Sequence, residues 1–152
     1  MGLDMFLERE VFIGAEYEHR NVCGAIHLTV GKKAKPIPIQ LSAVSTINER
    51  AGYWRKANAI HAWFVENVQG GMDECQRSRV DREQLAELRE ECREALESGE
   101  GMEPQSGCFF GSTEKDDGWR SDLRDTIMII DNAFERDKEL PETPSYYYQA
   151  SW

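Results

Sequence analysis

Apolar residues change their spacing along this chain, and the change restricts the folds open to it. At the start, Leu3, Met5 and Leu7 alternate with Asp4, Phe6 and Glu8 in the stretch from Leu3 to Ile13. A period of two places the first set on one face of a half-buried β-strand. From Lys56 the period becomes helical: Ile60, Trp63 or Phe64, and Val68 share a face, and Gly70-Gly71 stops that helix. A second helix starts at an N-cap, Asp81, with Gln84 at the N3 position of a capping box. Leu85, Leu88, Cys92 and Leu96 form its stripe, and Ser98-Gly99 ends it. A third helix carries Trp119, Leu123, Ile127, Ile130 and Phe134. Its additional Met128, Ile129 and Ala133 predict burial on more than one side.

The remaining periodic segments are extended. A strand is expected from Cys23 to Val30, closed by Gly31-Lys32-Lys33, and the charged interval from Gly14 to Asn21 reads as its hairpin connection to the first strand. Ile37, Ile39 and Leu41 alternate with Pro36 and Pro38 between them. Two prolines remove two ladder donors, so this stretch is expected to lie on a sheet edge or to begin at a sheet margin. Gly107-Cys108-Phe109-Phe110-Gly111 reads as a short aromatic strand, and Tyr146 to Trp152 as a closing strand of high β propensity. The expected order is therefore β-β-β-α-α-β-α-β. Three helices gathered on one face of a mostly antiparallel sheet satisfy it, so the class is α+β. A length of 152 residues suits one domain over 1–152.

Charge narrows the partners. Twenty-eight acidic residues against 18 basic ones give a net charge of −10, which disfavours direct binding to nucleic acid or to an anionic membrane. No apolar run approaches the ~20 residues of a membrane span, and the start carries no secretory signal. A soluble, cytoplasmic protein is expected. Cys23, Cys75, Cys92 and Cys108 form no C-x-x-C pair, which indicates neither a zinc knuckle nor a disulfide framework. His19, Cys23 and His27 fall at intervals of four. On a strand, residues four apart lie ~13 Å from one another, so no metal site is expected.

The densest polar and aromatic cluster runs from Tyr53 through Trp54, Arg55, Lys56 and Asn58 to His61. A strand-to-helix junction exposes backbone N–H groups that favour an anion. Arg55 and Lys56 add cations there, Trp54 a face for stacking, and Asn58 and His61 hydrogen-bonding groups for a base or ribose. Phe109, Phe110, Gly111 and Ser112 lead into a third helix and form a second candidate anion nest, with no Walker loop and no other cofactor motif in the chain. Trp152, alternating with Tyr146 and Tyr148 on the closing strand, is the third contributor. The plainer alternative pairs Arg55 and Lys56 with surface carboxylates, makes His61 a polar core residue and leaves the aromatics in the core. A hydrolase reading uses His61 as general base, oriented by Asp4, Glu66 or Asp125, with Cys108 or Ser112 as nucleophile. No spacing ties these groups together, so no residue is assigned as catalytic.

Four blocks carry a resemblance. Gly2-Leu3-Asp4-Met5, the run from Tyr53 to His61 with Trp63-Phe64-Val65, Ser106-Gly107-Cys108-Phe109-Phe110-Gly111-Ser112, and the closing Tyr147-Tyr148-Gln149-Ala150-Ser151-Trp152 resemble a family of small proteins of tailed bacteriophages and prophages. The resemblance implies a phage-encoded accessory protein of the bacterial host cytoplasm, outside the virion, and carries over no catalytic residue. For such a protein the junction and the glycine turn suggest a non-enzymatic binder of a small phosphate-containing, nucleotide-like ligand that sequesters a host immune signal. The alternative is an acidic inhibitor of a host nucleic-acid-handling protein. It would use the face of the helix from Asp81 to Glu97 as a polyanion, in a stretch where nine acidic residues and three arginines between Asp81 and Glu103 give −6. The His61 hydrolase is the third reading. A homodimer through the C-terminal strand is open if that strand lies at an edge.

Overall fold

The N-terminal alternation forms the strand it predicts. In strand β1 (Asp4–Phe12), Met5 and Leu7 are fully buried, as is Leu3 just before it, whereas Asp4, Phe6 and Glu8 are half-buried on the opposite face. The computed structural model describes residues 2–19, 23–29, 31, 36–107, 110–140 and 142–152. They divide into two compact units, Met1–Arg9 with Glu49–Trp152, and Glu10–Asn48.

The larger unit is built on a four-stranded antiparallel sheet in the order β4 (Thr46–Arg55), β1, β6 (Ser145–Ser151), β5 (Ser78–Val80). At one end of the β1–β4 pair the Lys56 N–H donates to Leu3 O at 2.8 Å, and Ser78 opposes Tyr148 in the β5–β6 pair. Helices α1 (Asn58–Asn67), α2 (Arg82–Ser98) and α3 (Asp117–Asp137) cover the face that carries Leu3, Met5 and Leu7. Ile60 and Phe64 of α1, Leu85, Leu88 and Cys92 of α2, and Leu123 and Ile130 of α3 are fully buried against it. Each large side chain so buried contributes about 1.5–3 kcal/mol. The Tyr148 ring stacks on Phe64 at 3.9 Å between centroids. The α+β class expected from the order of elements is the one observed.

Helix boundaries follow their local chemistry. Gln84 Oε1 accepts the Asp81 N–H at 2.9 Å, completing the capping box, and Gly99 closes α2 at φ 76°. Helix α1 stops where Gly71, at φ 78°, donates its N–H to Val65 O at 2.8 Å. The surplus of apolar residues on α3 does not bury two sides, since Met128 stands 54% exposed. A polar residue, Thr126, occupies the core instead, its Oγ1 accepting from Trp54 Nε1 at 2.9 Å and donating to Asp122 O at 2.7 Å.

Several expectations need correction. Strand β4 was not legible, because Asn48, Glu49, Arg50 and Arg55 interrupt any apolar alternation along a sheet edge. Three residues of β5 are too few to show a period. Strand β1 makes no hairpin with β2 (Ile26–Leu28), which pairs with β3 (Ile37–Ile39) in a separate two-stranded sheet of the smaller unit. The aromatic segment is irregular at Gly107, Phe110 and Gly111; Cys108 and Phe109 lie outside the described residues. Strand β6 runs between β1 and β5, which pairs with Tyr146 to Tyr148, so it is not the edge strand of its sheet.

Arg9 occupies the inward face of β1 after Leu7 and is 3% exposed. Its Nε donates to Asp137 Oδ1 at 2.9 Å and its Nη1 to Glu49 Oε2 at 2.7 Å. Tyr146 and Arg82 also donate to Asp137, so the buried charges are met on several sides.

Gly52 is where α3 meets β4: a Cβ there would fall 2.5 Å from Ile129 Cγ2. Gly52→Ala should destabilise the fold by about 1–3 kcal/mol in urea unfolding, and Ile129→Ala in the same chain should recover part of the loss. Equal stability of Gly52→Ala and the parent would contradict this packing.

Candidate functional site

Only Lys56 and Ala57 separate the last residue of β4 from the first of α1, so the chain must reverse sharply. Lys56 does this in the left-handed region, at φ 61°, which costs a non-glycine residue about 1–2 kcal/mol. Its N–H is held by Leu3 O and its carbonyl accepts the Asn58 N–H at 2.9 Å. Ala57 is the N-cap of helix α1, which therefore has no side-chain cap and also no acidic residue in its first turn. The positive end of that helix is left uncompensated.

Asn58 joins this junction to a distant loop. It is 5% exposed, and its Nδ2 donates to Phe110 O at 3.1 Å and to Ser112 O at 2.7 Å. Its Oδ1 accepts the Gln105 N–H at 3.2 Å. The Gly111 turn is thereby drawn against Lys56, and a Cβ on Gly111 would lie 3.3 Å from Lys56 Cβ. Glycine is also required there by its φ of 99°.

Between the junction and the start of α3 lies a cleft of about 250 Å³. Arg55, Lys56 and Ala59 line one part of it, and Gly111 and Ser112 another. Glu114, Asp116 and Asp122 bring three carboxylates from the α3 side. Arg55 and Lys56 are exposed, and among the described residues neither has an ion-pair partner. Asp116 caps α3 by accepting the Trp119 N–H at 3.0 Å. The Asp122 carboxyl is pushed up from 3.8 to about 6, first by burial and then by the charges of Asp125 and Asp116. Among the described residues it has no hydrogen-bond partner. The cleft is thus cationic on one side and carboxylate on the other.

Five expected residues meet here: Arg55, Lys56, Asn58, Gly111 and Ser112. The roles of several differ from expectation. The Asn58 amide is consumed by the loop backbone, so it has no donor left for a ligand. The start of the third helix is already capped by Asp116, and in the glycine turn before it the Ser112 Oγ accepts the Glu114 N–H at 3.1 Å. Trp54 is 3% exposed and hydrogen-bonded to Thr126, so its ring offers no stacking face. Phe110 is 7% exposed and stands edge-on to His61, and Phe109 lies outside the described residues. Trp152 is half exposed but away from the cleft lining, its Nε1 donating to Asp73 Oδ1 at 3.2 Å.

His61 is the satisfied core histidine of the plainer alternative. It is fully buried, with Nδ1 2.7 Å from the Tyr148 hydroxyl and Nε2 2.9 Å from Asp73 Oδ2. Neither nitrogen is free to contact a base or ribose or to act as a general base. Its carboxylate partner is Asp73, not Asp4, Glu66 or Asp125; Asp4 instead accepts from the Tyr53 hydroxyl.

Glu114, Asp116 and Asp122 were missed by sequence reasoning. Their signal was an N-cap aspartate at the start of the third helix and an aspartate four residues beyond Gly118, one turn along the same face. Among the described residues no group of three His, Cys, Asp or Glu is placed to hold a metal ion, and no helix is long and apolar enough to cross a membrane. Cys92 sits in the core and burial pushes its thiol to about 12, which suits packing and not nucleophilic chemistry. No family model, curated protein or solved structure matches the chain.

The raised Asp122 carboxyl makes stability depend on pH. Between pH 4 and 6 the folded chain holds this proton more tightly than the unfolded one, so the contribution falls as pH rises through that window. Asp122→Asn should therefore stabilise the fold by ~1–2 kcal/mol at pH 7.5, a figure reduced for solvent screening. The gain should vanish by about pH 4 in urea unfolding. A gain that is the same at both pH values would contradict the assignment.

Proposed function

We propose that this chain binds a small phosphate-bearing, nucleotide-like ligand in the cleft and holds it without turnover, as a phage accessory protein that sequesters a host immune signal. One observation carries the reading: Arg55 and Lys56, two cations with no ion-pair partner among the described residues, stand beside the uncapped N-terminus of α1 at a cleft. Helix N–H groups and side-chain cations together form the usual reception for a phosphate. The left-handed Lys56 and the inserted Gly111 give that corner its shape before a ligand arrives. Sequestration in preference to turnover is supported by His61, which both Tyr148 and Asp73 hold inside the core.

A second reading is favoured by the charge on α2. Arg89 and Arg93 both reach Asp131 on α3, at 2.8 and 3.3 Å, so they do not neutralise the exposed Glu87, Glu94 and Glu97. That face fits the acidic inhibitor of a basic host protein, whose binding would weaken steeply with salt.

Calorimetric titration with nucleoside monophosphates separates the two. Arg55→Ala should weaken binding ~10- to 100-fold, the range for losing a charged hydrogen bond, while the melting temperature stays within a few degrees. Ligand recovered after heat denaturation should be chemically intact. An affinity within threefold of the parent in Arg55→Ala would overturn the cleft assignment, and an altered ligand would overturn sequestration.

A further inference from the structure

Resting on that reading, we infer that the group recognised inside the cleft is a phosphorylated polyol of the ribose phosphate type. Its vicinal hydroxyls donate to Asp122, and no base is read there. Size comes first. The cleft holds about 250 Å³, below the ~300–1,000 Å³ of sites that enclose drug-sized ligands, so a dinucleotide does not fit within it.

Stacking comes second. A protein that reads bases presents aromatic faces, each worth about 1–3 kcal/mol per base. Trp119 is the aromatic residue of the lining, and it is 5% exposed with its Nε1 on Met102 O at 2.8 Å. Trp54 and Phe110 are buried as well. No described aromatic ring turns a free face into the cleft.

The carboxylate side comes third. A phosphate gains nothing from Asp122, and like charge would drive it towards Arg55 and Lys56. A carboxylate is an acceptor with about four lone-pair sites, and a vicinal diol supplies two O–H donors to such a group. The Asp122 carboxyl is partly buried, has no hydrogen-bond partner among the described residues and lies on the α3 side with Asp116 and Asp125 beside it. Burial of an unpartnered carboxylate works against the fold, and a donor-rich ligand removes that penalty on binding. One ligand therefore meets both sides if it carries its anion at one end and its hydroxyls at the other.

Calorimetry with inorganic phosphate, ribose 5-phosphate, 2-deoxyribose 5-phosphate and adenosine monophosphate tests this. Ribose 5-phosphate and the nucleotide should bind within about fivefold of each other, and both at least tenfold tighter than inorganic phosphate. The deoxy sugar should fall between. Asp122→Ala should cost the two ribose ligands at least tenfold and leave inorganic phosphate unweakened, and Asp122→Asn, which keeps one acceptor, should cost them less. Thermal unfolding should show both variants folded. A nucleotide at least 100-fold tighter than ribose 5-phosphate would show that the base is read and would overturn the inference. So would an Asp122→Ala affinity for ribose 5-phosphate within threefold of the parent, or no binding at all. Sensitivity to Arg55→Ala without sensitivity to Asp122→Ala would sink this inference and leave the phosphate reading standing. Insensitivity to Arg55→Ala would sink the phosphate reading itself.

Discussion

The side-chain amide of Asn58 holds the cleft together. A short side chain at the first position of α1 reaches three backbone groups of a loop that lies 47 to 54 residues further along the chain. Each bond alone contributes only about 1 kcal/mol. Together they satisfy a buried amide, and loss of any one would leave a polar group without its partner. The arrangement also explains the backbone around it. Lys56 must turn left-handed to place Asn58, and Gly111 must lack a side chain to lie against Lys56. The second side of the cleft exists because this amide brings it there.

What Asn58 brings together is two sides of opposite charge. The β4–α1 side offers cations and an uncapped helix start; the α3 side offers a helix start already capped by Asp116, followed by Asp122. The Asp122 carboxyl gains no hydrogen-bond partner among the described residues and loses hydration. Its charge is a standing cost to stability, a perturbation of the kind that clusters at functional sites. The buried Arg9 cluster is the contrast. There, Asp137 receives Arg9, Arg82 and Tyr146, so every charge is answered inside the protein and nothing is left for a ligand.

Much of this was legible in the residues. The period of two in Leu3-Met5-Leu7, the capping box of Asp81 and Gln84 and the glycine stops at Gly71 and Gly99 each rest on chemistry local to a few positions, and each formed. The β4–α1 junction was visible as a cluster, and so was the pairing of its cations with the Gly111 turn. What stayed hidden depends on contacts distant in sequence. Strand β4 reads as polar because it is an edge, with its one strict packing demand at Gly52 set by Ile129 on α3. Trp54 and His61 looked like binding groups because nothing nearby reveals Thr126, Tyr148 and Asp73, which claim their polar atoms. Asn58 stands out in the residues as a binding amide, yet its partner is a loop backbone, which an amide suits as well as it suits a ligand.

The central claim is that a phosphate ester enters at the start of α1 and contacts the Gly111 turn. The most direct measurement is a ¹⁵N–¹H NMR titration with ribose 5-phosphate. The account predicts that the amides of Lys56, Ala59, Gly111 and Ser112 shift first and saturate together, while those of the α2 face stay still. Shifts confined to α2, or spread evenly over the surface with no saturation, would contradict it.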